Sequence, residues 1–277
     1  MKRTKRVLSS LLAMIVLVTF IPIVATPPKE AQAQKVYKAG GYACASGNKV
    51  FFLAENDTQI KCYNAKTKKV TTVLDSSVDG HFTRGFSDLT VKGKYIYFVW
   101  DKFQGSEAGE VYVYRMTLDG KKRTKLACGA NPIIAGNKIV YLKCKRSYDS
   151  YVGAYITEST NTICSMSLNG KNKKKCSEVA TKSVNVYKYY GDTSTGNLGG
   201  YVYTLNSDQT SITRKNTTTN KTKTIFSNKN GIISFSVAGN YVYITCQAKN
   251  DPVKAVAYVI KSNGTKKAKV ASWTMAG

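Results

Sequence analysis

The sequence predicts an all-β protein, and three observations carry that prediction. A strand unit recurs five times: Gly47-Asn48-Lys49-Val50-Phe51-Phe52-Leu53 returns at Gly93 to Val99, Gly136 to Leu142, Gly199 to Leu205 and Gly239 to Thr245. Glycine tolerates positive φ and the alternating apolar and aromatic residues suit a pleated surface, so each copy reads as a tight turn feeding a strand. A matching set of hairpin turns follows the copies, at Asn64 to Thr67, Leu118 to Lys121, Leu168 to Lys171, Thr218 to Lys221 and Ser262 to Thr265, with Asn or Gly where positive φ is wanted. Beyond the N-terminus no amphipathic helical period runs longer than two turns.

The N-terminus has a basic head (Lys2, Arg3, Lys5, Arg6), an apolar run from about Leu11 to Ala25, and Ala31-Gln32-Ala33, which fits the small-x-small pattern of a signal peptidase site. A signal peptide over residues 1–33 is expected, leaving residues 34–277 as one domain. An uncleaved membrane anchor is the alternative, since Val7 to Ala25 is nearly long enough to span a bilayer.

The glycines that open the five copies stand at 47, 93, 136, 199 and 239, spaced as four-stranded propeller blades are. Each unit reads as strands A to D. In the second, Phe86–Val91 is A, Tyr95–Trp100 is B, Val111–Thr117 is C and Thr124–Cys128 is D. The expected fold is therefore a five-bladed β-propeller of four-stranded antiparallel blades, at approximately 41–75, 85–128, 130–179, 183–227 and 231–273. Lys35 to Lys38 is expected to clasp the outer edge of the last blade, unless it opens a partial sixth.

Repeated Gly-Asn-x-[Ile/Val]-Tyr-Phe strands, the Asn-Gly-Lys hairpins and the Lys-rich outer strands together resemble a bacterial domain of unknown function of the LDL-receptor-related-protein-like β-propeller type. The resemblance covers the whole of residues 34–277 and implies a secreted propeller, with no activity attached. The Tyr-Trp-Thr-Asp signature of the receptor propellers is absent, and Trp100-Asp101 ends a second strand, where a WD40 mark ends the third.

In such a fold the long connections Asp75 to Gly85, Asp101 to Gly109, Lys145 to Thr160 and Gln247 to Lys254 rise from one rim, and Gly191 to Gly199 opens on the opposite face. Long loops on a rigid scaffold are where binding residues are usually placed. The longest insertion carries Arg146, Tyr148, Asp149, Tyr151 and Tyr155, and Phe103 lies on a neighbouring loop. Flat phenols among small polar residues suit stacking on sugars or gripping peptide, so these six are the expected ligand-binding set. Their alternative use is to cover the base of their own loop. The strand tyrosines Tyr95, Tyr97, Tyr112, Tyr114, Tyr201, Tyr203, Tyr241 and Tyr243 are expected to pack between blades.

The chain holds 42 Lys and Arg against 16 Asp and Glu, a net charge of +26. The leader takes away only Lys2, Arg3, Lys5, Arg6 and Lys29 against Glu30, so most of the excess belongs to the folded part. Many of these residues lie on C-to-D turns and D strands, where lysine blocks edge-to-edge pairing. Edge protection does not require one sign, so attraction to an anionic cell-wall polymer stays open. Bases spread around a circumference without interleaved aromatics argue against nucleic acid.

Seven cysteines include one pair placed symmetrically about Gly170: a Cys164–Cys176 bridge is expected if the hairpin sets them opposite each other. The others read as small strand hydrophobes. With one histidine and no C-x-x-C, neither a metal site nor any other cofactor is expected. Asp75, Asp79, His81 and Asp88 form the one dense polar cluster. A glycosidase needs two carboxylates converging at the funnel, and the expected A strands offer Asp88 alone, with Pro132, Asn185 and Ser234 in the others. The expectation is a secreted or wall-associated, monomeric, non-catalytic binding module for a protein or glycan. A carbohydrate-active enzyme and a purely structural scaffold are the alternatives.

Overall fold

The Gly-led copies fold as the second strands of successive antiparallel meanders, because each begins at a left-handed glycine and then alternates its side chains between two buried faces. The computed structural model describes residues 37–39, 41–79, 83–104, 107–151, 154–176 and 195–275, and Tyr37–Gly277 forms one compact unit. The leader lies outside the described residues.

After β1 (Tyr37–Ala39), the first meander is β2 (Ala43–Ser46), β3 (Lys49–Ala54), β4 (Gln59–Asn64) and β5 (Val70–Asp75), followed by a 3-10 turn, Ser76–Asp79. The second is β6 (Thr83–Lys92), β7 (Tyr95–Gln104), β8 (Glu107–Thr117) and the first half of β9 (Arg123–Ala135). The third takes the second half of β9, then β10 (Lys138–Asp149), β11 (Ala154–Ser167) and β12 (Lys174–Lys175). The shared strand fuses second and third meanders into one eight-stranded sheet with β1 at its side. The handover falls at Gly129, where a Cβ would stand 2.6 Å from both the Leu142 carbonyl oxygen and the Tyr141 ring. The fourth meander is β13 (Thr195–Leu198), β14 (Tyr201–Leu205), β15 (Ser211–Asn216) and β16 (Thr222–Ser227). The fifth is β17 (Ile232–Ala238), β18 (Tyr241–Ala248), β19 (Asp251–Lys261) and β20 (Ala268–Thr274). Four of the meanders shift register at one place, between third and fourth strands, at Ile60/Lys61, Val113/Tyr114, Ile212/Thr213 and Ala257/Tyr258. An extra residue there sharpens the local twist of the outer strand.

The meanders pack face to face in the order third, second, first, fifth, fourth. Leu126, Ile139 and Met166 join third and second around Tyr97, and Cys44, Phe51 and Ile60 meet Phe86, Phe98 and Trp100 between second and first. Val50, Phe52 and Tyr63 meet Tyr241 and Tyr243 between first and fifth, and Tyr203, Ile212 and Phe226 meet Phe235 and Ile244 between fifth and fourth. Their first strands follow the same order, β13 touching β17, β17 touching β2, and β2 touching β6. Each fully buried ring is worth about 2–3 kcal/mol, so the inter-sheet seams hold much of the stability.

Four expectations change. Asp101 to Gly109, Lys145 to Thr160 and Gln247 to Lys254 are largely extensions of the β7–β8, β10–β11 and β18–β19 hairpins rather than loops; Thr and Ile alternation, as in Ile156, Thr157 and Thr160, keeps the ladder going. Gly191 to Gly199 contains a first strand, β13, where a loop was expected, and Asn185 lies outside the described residues. The N-terminal segment makes no outer clasp: β1 pairs with β9 through Lys38 and Ile134, and Gly41 bridges Leu89 on β6, so it lies along the first strands. The Cys164–Cys176 bridge is absent, as described below.

Candidate functional site

The β10–β11 hairpin is the longest among the described residues, its register running from Lys138 opposite Ser167 to Asp149 opposite Ala154. Its tip lifts Tyr148 (59% exposed) and Tyr151 (98% exposed) into solvent. Tyr148 stands opposite Tyr155 in the ladder; the side chains of Asp149, Tyr155 and Phe103 lie outside the described residues. Arg146, expected beside the tyrosines as a ligand group, works as a brace: its Nη1 donates to Glu110 Oε1 at 3.1 Å, while Lys125 Nζ donates to Oε2 at 3.2 Å.

The polar cluster resolves into two different carboxylates. Asp75 accepts from Ser77 Oγ (2.6 Å), the Ser77 backbone N–H (2.9 Å) and Gln59 Nε2 (2.6 Å). Those bonds, the Ser77 hydroxyl foremost, hold it below the usual carboxylate range, and they cap the 3-10 turn. Asp88 sits at a left-handed bulge in β6, and burial pushes its pKa up to about 6 against the bond donated by Ser87 Oγ. His81 and the Asp79 side chain lie outside the described residues. Sequence reading missed Asp57, at the β3–β4 turn, which burial also raises to about 6. Its carbonyl accepts from the Phe86 N–H at 2.7 Å, and Gly85 (φ 112) clears that approach because a Cβ would meet the same oxygen at 2.7 Å.

All seven cysteines are free thiols. The β11–β12 register sets Cys164 across from Lys175, and the Cys176 N–H bonds the Ile163 carbonyl. One residue of offset puts the two sulfurs on opposite faces, Cys164 with Tyr141 and Met166, Cys176 with Ile133 and Val140. Burial raises the Cys62, Cys128, Cys164 and Cys246 thiols, and Cys144 to about 11, so they stay protonated and weakly nucleophilic.

The strand tyrosines do pack between sheets, and two pairs of them form a recurring joint. Tyr97 Oη and Arg115 Nη1 both donate at 3.2 Å to the Leu168 carbonyl on the hairpin turn of the next sheet, with the guanidinium 4.7 Å above Tyr95. Tyr203 Oη and Arg214 Nη1 both donate at 3.2 Å to the Ser262 carbonyl, with the guanidinium 4.1 Å above Tyr201. Tyr97 stands opposite Arg115 and Tyr203 opposite Arg214 in their ladders. The second and fourth meanders alone carry that arginine among the described residues: the facing position is Cys62 in the first, Ser165 in the third and Val259 in the fifth, at its seam with the first. Tyr243 stands opposite Val259 there, and its hydroxyl turns away to the Leu53 carbonyl at 2.6 Å.

At that seam a cleft of about 540 Å3 opens. Asn48, Tyr63, Ala65, Lys66 and Lys68 form one wall; Tyr241, Val259, Lys261, Lys266, Lys267 and Ala268 form the other. No carboxylate lines it. Lys68 (φ 59) and Lys266 (φ 55) both occupy left-handed backbone. The matching positions of sister turns carry Asn220 (φ 56) and Asn172 (φ 55), the residue type that accepts this conformation at least cost. A lysine there costs about 1 kcal/mol of backbone strain.

No family model matches the chain, and no curated protein matches it. Solved structures do. The AtxE2 isopeptidase is 10% identical at a TM-score of 0.35, with 87% of this chain and 47% of that one covered, so the chain spans about half the isopeptidase's length. A putative TolB from Agrobacterium tumefaciens is 9% identical at 0.31, over 87% and 82% of the two chains, and a chain of a nidogen/laminin complex is 12% identical at 0.31, over 87% and 81%. At such identities and scores these likenesses assign no activity.

Proposed function

We propose that the chain is an exported, non-catalytic five-bladed β-propeller that binds a protein or cell-envelope glycan through the β10–β11 hairpin, its basic surface holding it to anionic envelope polymers. One observation carries the reading: the longest hairpin ends in two tyrosines, Tyr148 and Tyr151, that the fold presents to solvent. A phenol offers a flat apolar face at low entropic cost, and aromatic anchors dominate binding surfaces. The serial face-to-face packing of the meanders supports a propeller arrangement.

The test is retention of the purified protein on bacterial cell wall, with and without teichoic acid, across a salt series. Replacing Tyr148 and Tyr151 by serine is expected to lower salt-resistant retention by about tenfold, the scale of one lost aromatic anchor. Equal retention of the serine variant would overturn the hairpin as the binding element.

A further inference from the structure

We propose that the cleft between the first and fifth meanders binds a base-free phosphodiester polymer, a chain of polyol phosphates. The proposal deepens the basic-surface part of the function above and does not depend on the tyrosine hairpin.

Three features of the cleft point the same way. At this seam Val259 stands where Arg115 and Arg214 fasten two other joints, and Ala65 and Tyr241 line open space. The positive charge lost with that arginine is returned as lysines on both walls, Lys66 and Lys68 facing Lys261 and Lys266, none ion-paired among the described residues. Lys267 is already engaged, its ammonium 4.5 Å over Phe226 and 4.2 Å over Tyr258. Finally, the left-handed lysines at 68 and 266 sit where the matching turns of the fourth and third meanders use asparagine, so each wall of the cleft holds a lysine at a position that asparagine would fill with less strain.

The ligand class follows from the chemistry. Lysine ammoniums are mobile point charges that suit phosphate oxygens without demanding the bidentate plane an arginine sets. A cleft of about 540 Å3 with lysines on both walls has room for more than one phosphate group, which favours a chain over a single anion. Tyr63 (7% exposed) and Tyr241 (8%) show too little face to stack a base, which disfavours nucleic acid.

The experiment uses the purified protein and a fluorescent synthetic glycerol phosphate oligomer of about six units, titrated from about 50 to 200 mM salt. Val259→Arg raises the net charge yet rebuilds the arginine joint, and is expected to weaken binding at least tenfold. Lys68→Asn with Lys266→Asn keeps both backbones in a conformation asparagine accepts. It is expected to weaken binding about 25-fold, roughly fivefold per charge, and to reduce the slope of log affinity against log salt by about 1.4. Lys173→Asn with Lys174→Asn, equal in charge but on the third meander, is expected to stay within about twofold, as is the Tyr148 and Tyr151 serine variant, so the two proposals fail separately. The inference is overturned by a folded Val259→Arg that binds as well or better, by an equal loss in the third-meander control, by no binding at about 50 mM salt, or by a thymidine oligonucleotide of the same length binding as tightly as the glycerol phosphate. Should Val259→Arg not fold, the asparagine pair decides alone.

Discussion

The Leu168 carbonyl takes two donors, Tyr97 Oη and Arg115 Nη1, each at 3.2 Å, and this geometry makes a strong statement about additivity. Tyr97→Phe removes a neutral hydrogen bond, worth about 1 kcal/mol. Arg115→Met removes a charged donor and a guanidinium 4.7 Å over Tyr95, together worth about 2.5 kcal/mol. After either change the carbonyl keeps one donor. After both it is half-buried with none, and the desolvation cost of the orphaned oxygen adds about 1.5 kcal/mol beyond the sum. Urea denaturation of the wild type, both single variants and the double variant measures this, provided the denaturant slope is common to all four. The expected coupling is about 1.5 kcal/mol of extra destabilisation in the double variant; additivity within about 0.5 kcal/mol would refute the shared-acceptor account. The Tyr203, Arg214 and Ser262 joint repeats the geometry and should give the same sign.

Two further outcomes are expected. Asp57 and Asp88 are raised from 3.8 to about 6 by burial, so the folded state holds those protons more tightly than the unfolded one. Their contribution is full below about pH 4 and is lost as pH rises through about 6, by about 3 kcal/mol each. In urea melts across that window, Asp57→Asn and Asp88→Asn should each flatten the fall relative to wild type. A thiol titration in denaturant should count all seven cysteines with or without prior reduction; two fewer in the unreduced sample would restore the Cys164–Cys176 bridge.

Much of the fold was legible in the sequence because the signal was doubled. The Gly-led copies fixed the second strands, and the Asn-Gly turns fixed the third-to-fourth hairpins, so Tyr97, Tyr203 and Tyr243 could be placed between sheets before any contact was known. Where only one signal existed the reading slipped. β13, Thr-Gly-Asn-Leu, has no alternation of its own and is a strand through pairing with Tyr201 to Thr204. Polar hairpin extensions such as Lys145 to Tyr148 look like loop because partial or full exposure on both faces removes the apolar period. The single-residue offset that parts Cys164 from Cys176 depends on how the Gly170 turn closes, which spacing alone does not determine. The cleft was hidden for a different reason: Val259 is unremarkable until register aligns it with Arg115 and Arg214, and Lys68 and Lys266 are two among many lysines until their φ values set them apart.

The charge of +26 therefore separates into populations with different physics. With so few acids in the chain, several cations lie over aromatic faces: Lys102 lies 3.9 Å from the Trp100 ring, Lys267 beside Phe226 and Tyr258, and Lys125 3.6 Å from Tyr112 in addition to its pair with Glu110. These contacts are worth about 0.5–2 kcal/mol each to the fold. Arg115 and Arg214 are committed in the same way, with a carbonyl each besides. A polyanion would have to pull such residues off their rings, so they contribute little to capture. Lys66, Lys68, Lys261 and Lys266 of the cleft have no such engagement among the described residues, and their charge is available at no structural loss. Salt should consequently act unevenly: capture at the cleft should weaken steeply from about 50 to 200 mM salt, while the unfolding midpoint, resting on close cation–ring and buried contacts, should move far less. Parallel loss of binding and stability over that range would mean the charges form one diffuse field and the seam holds no privileged site.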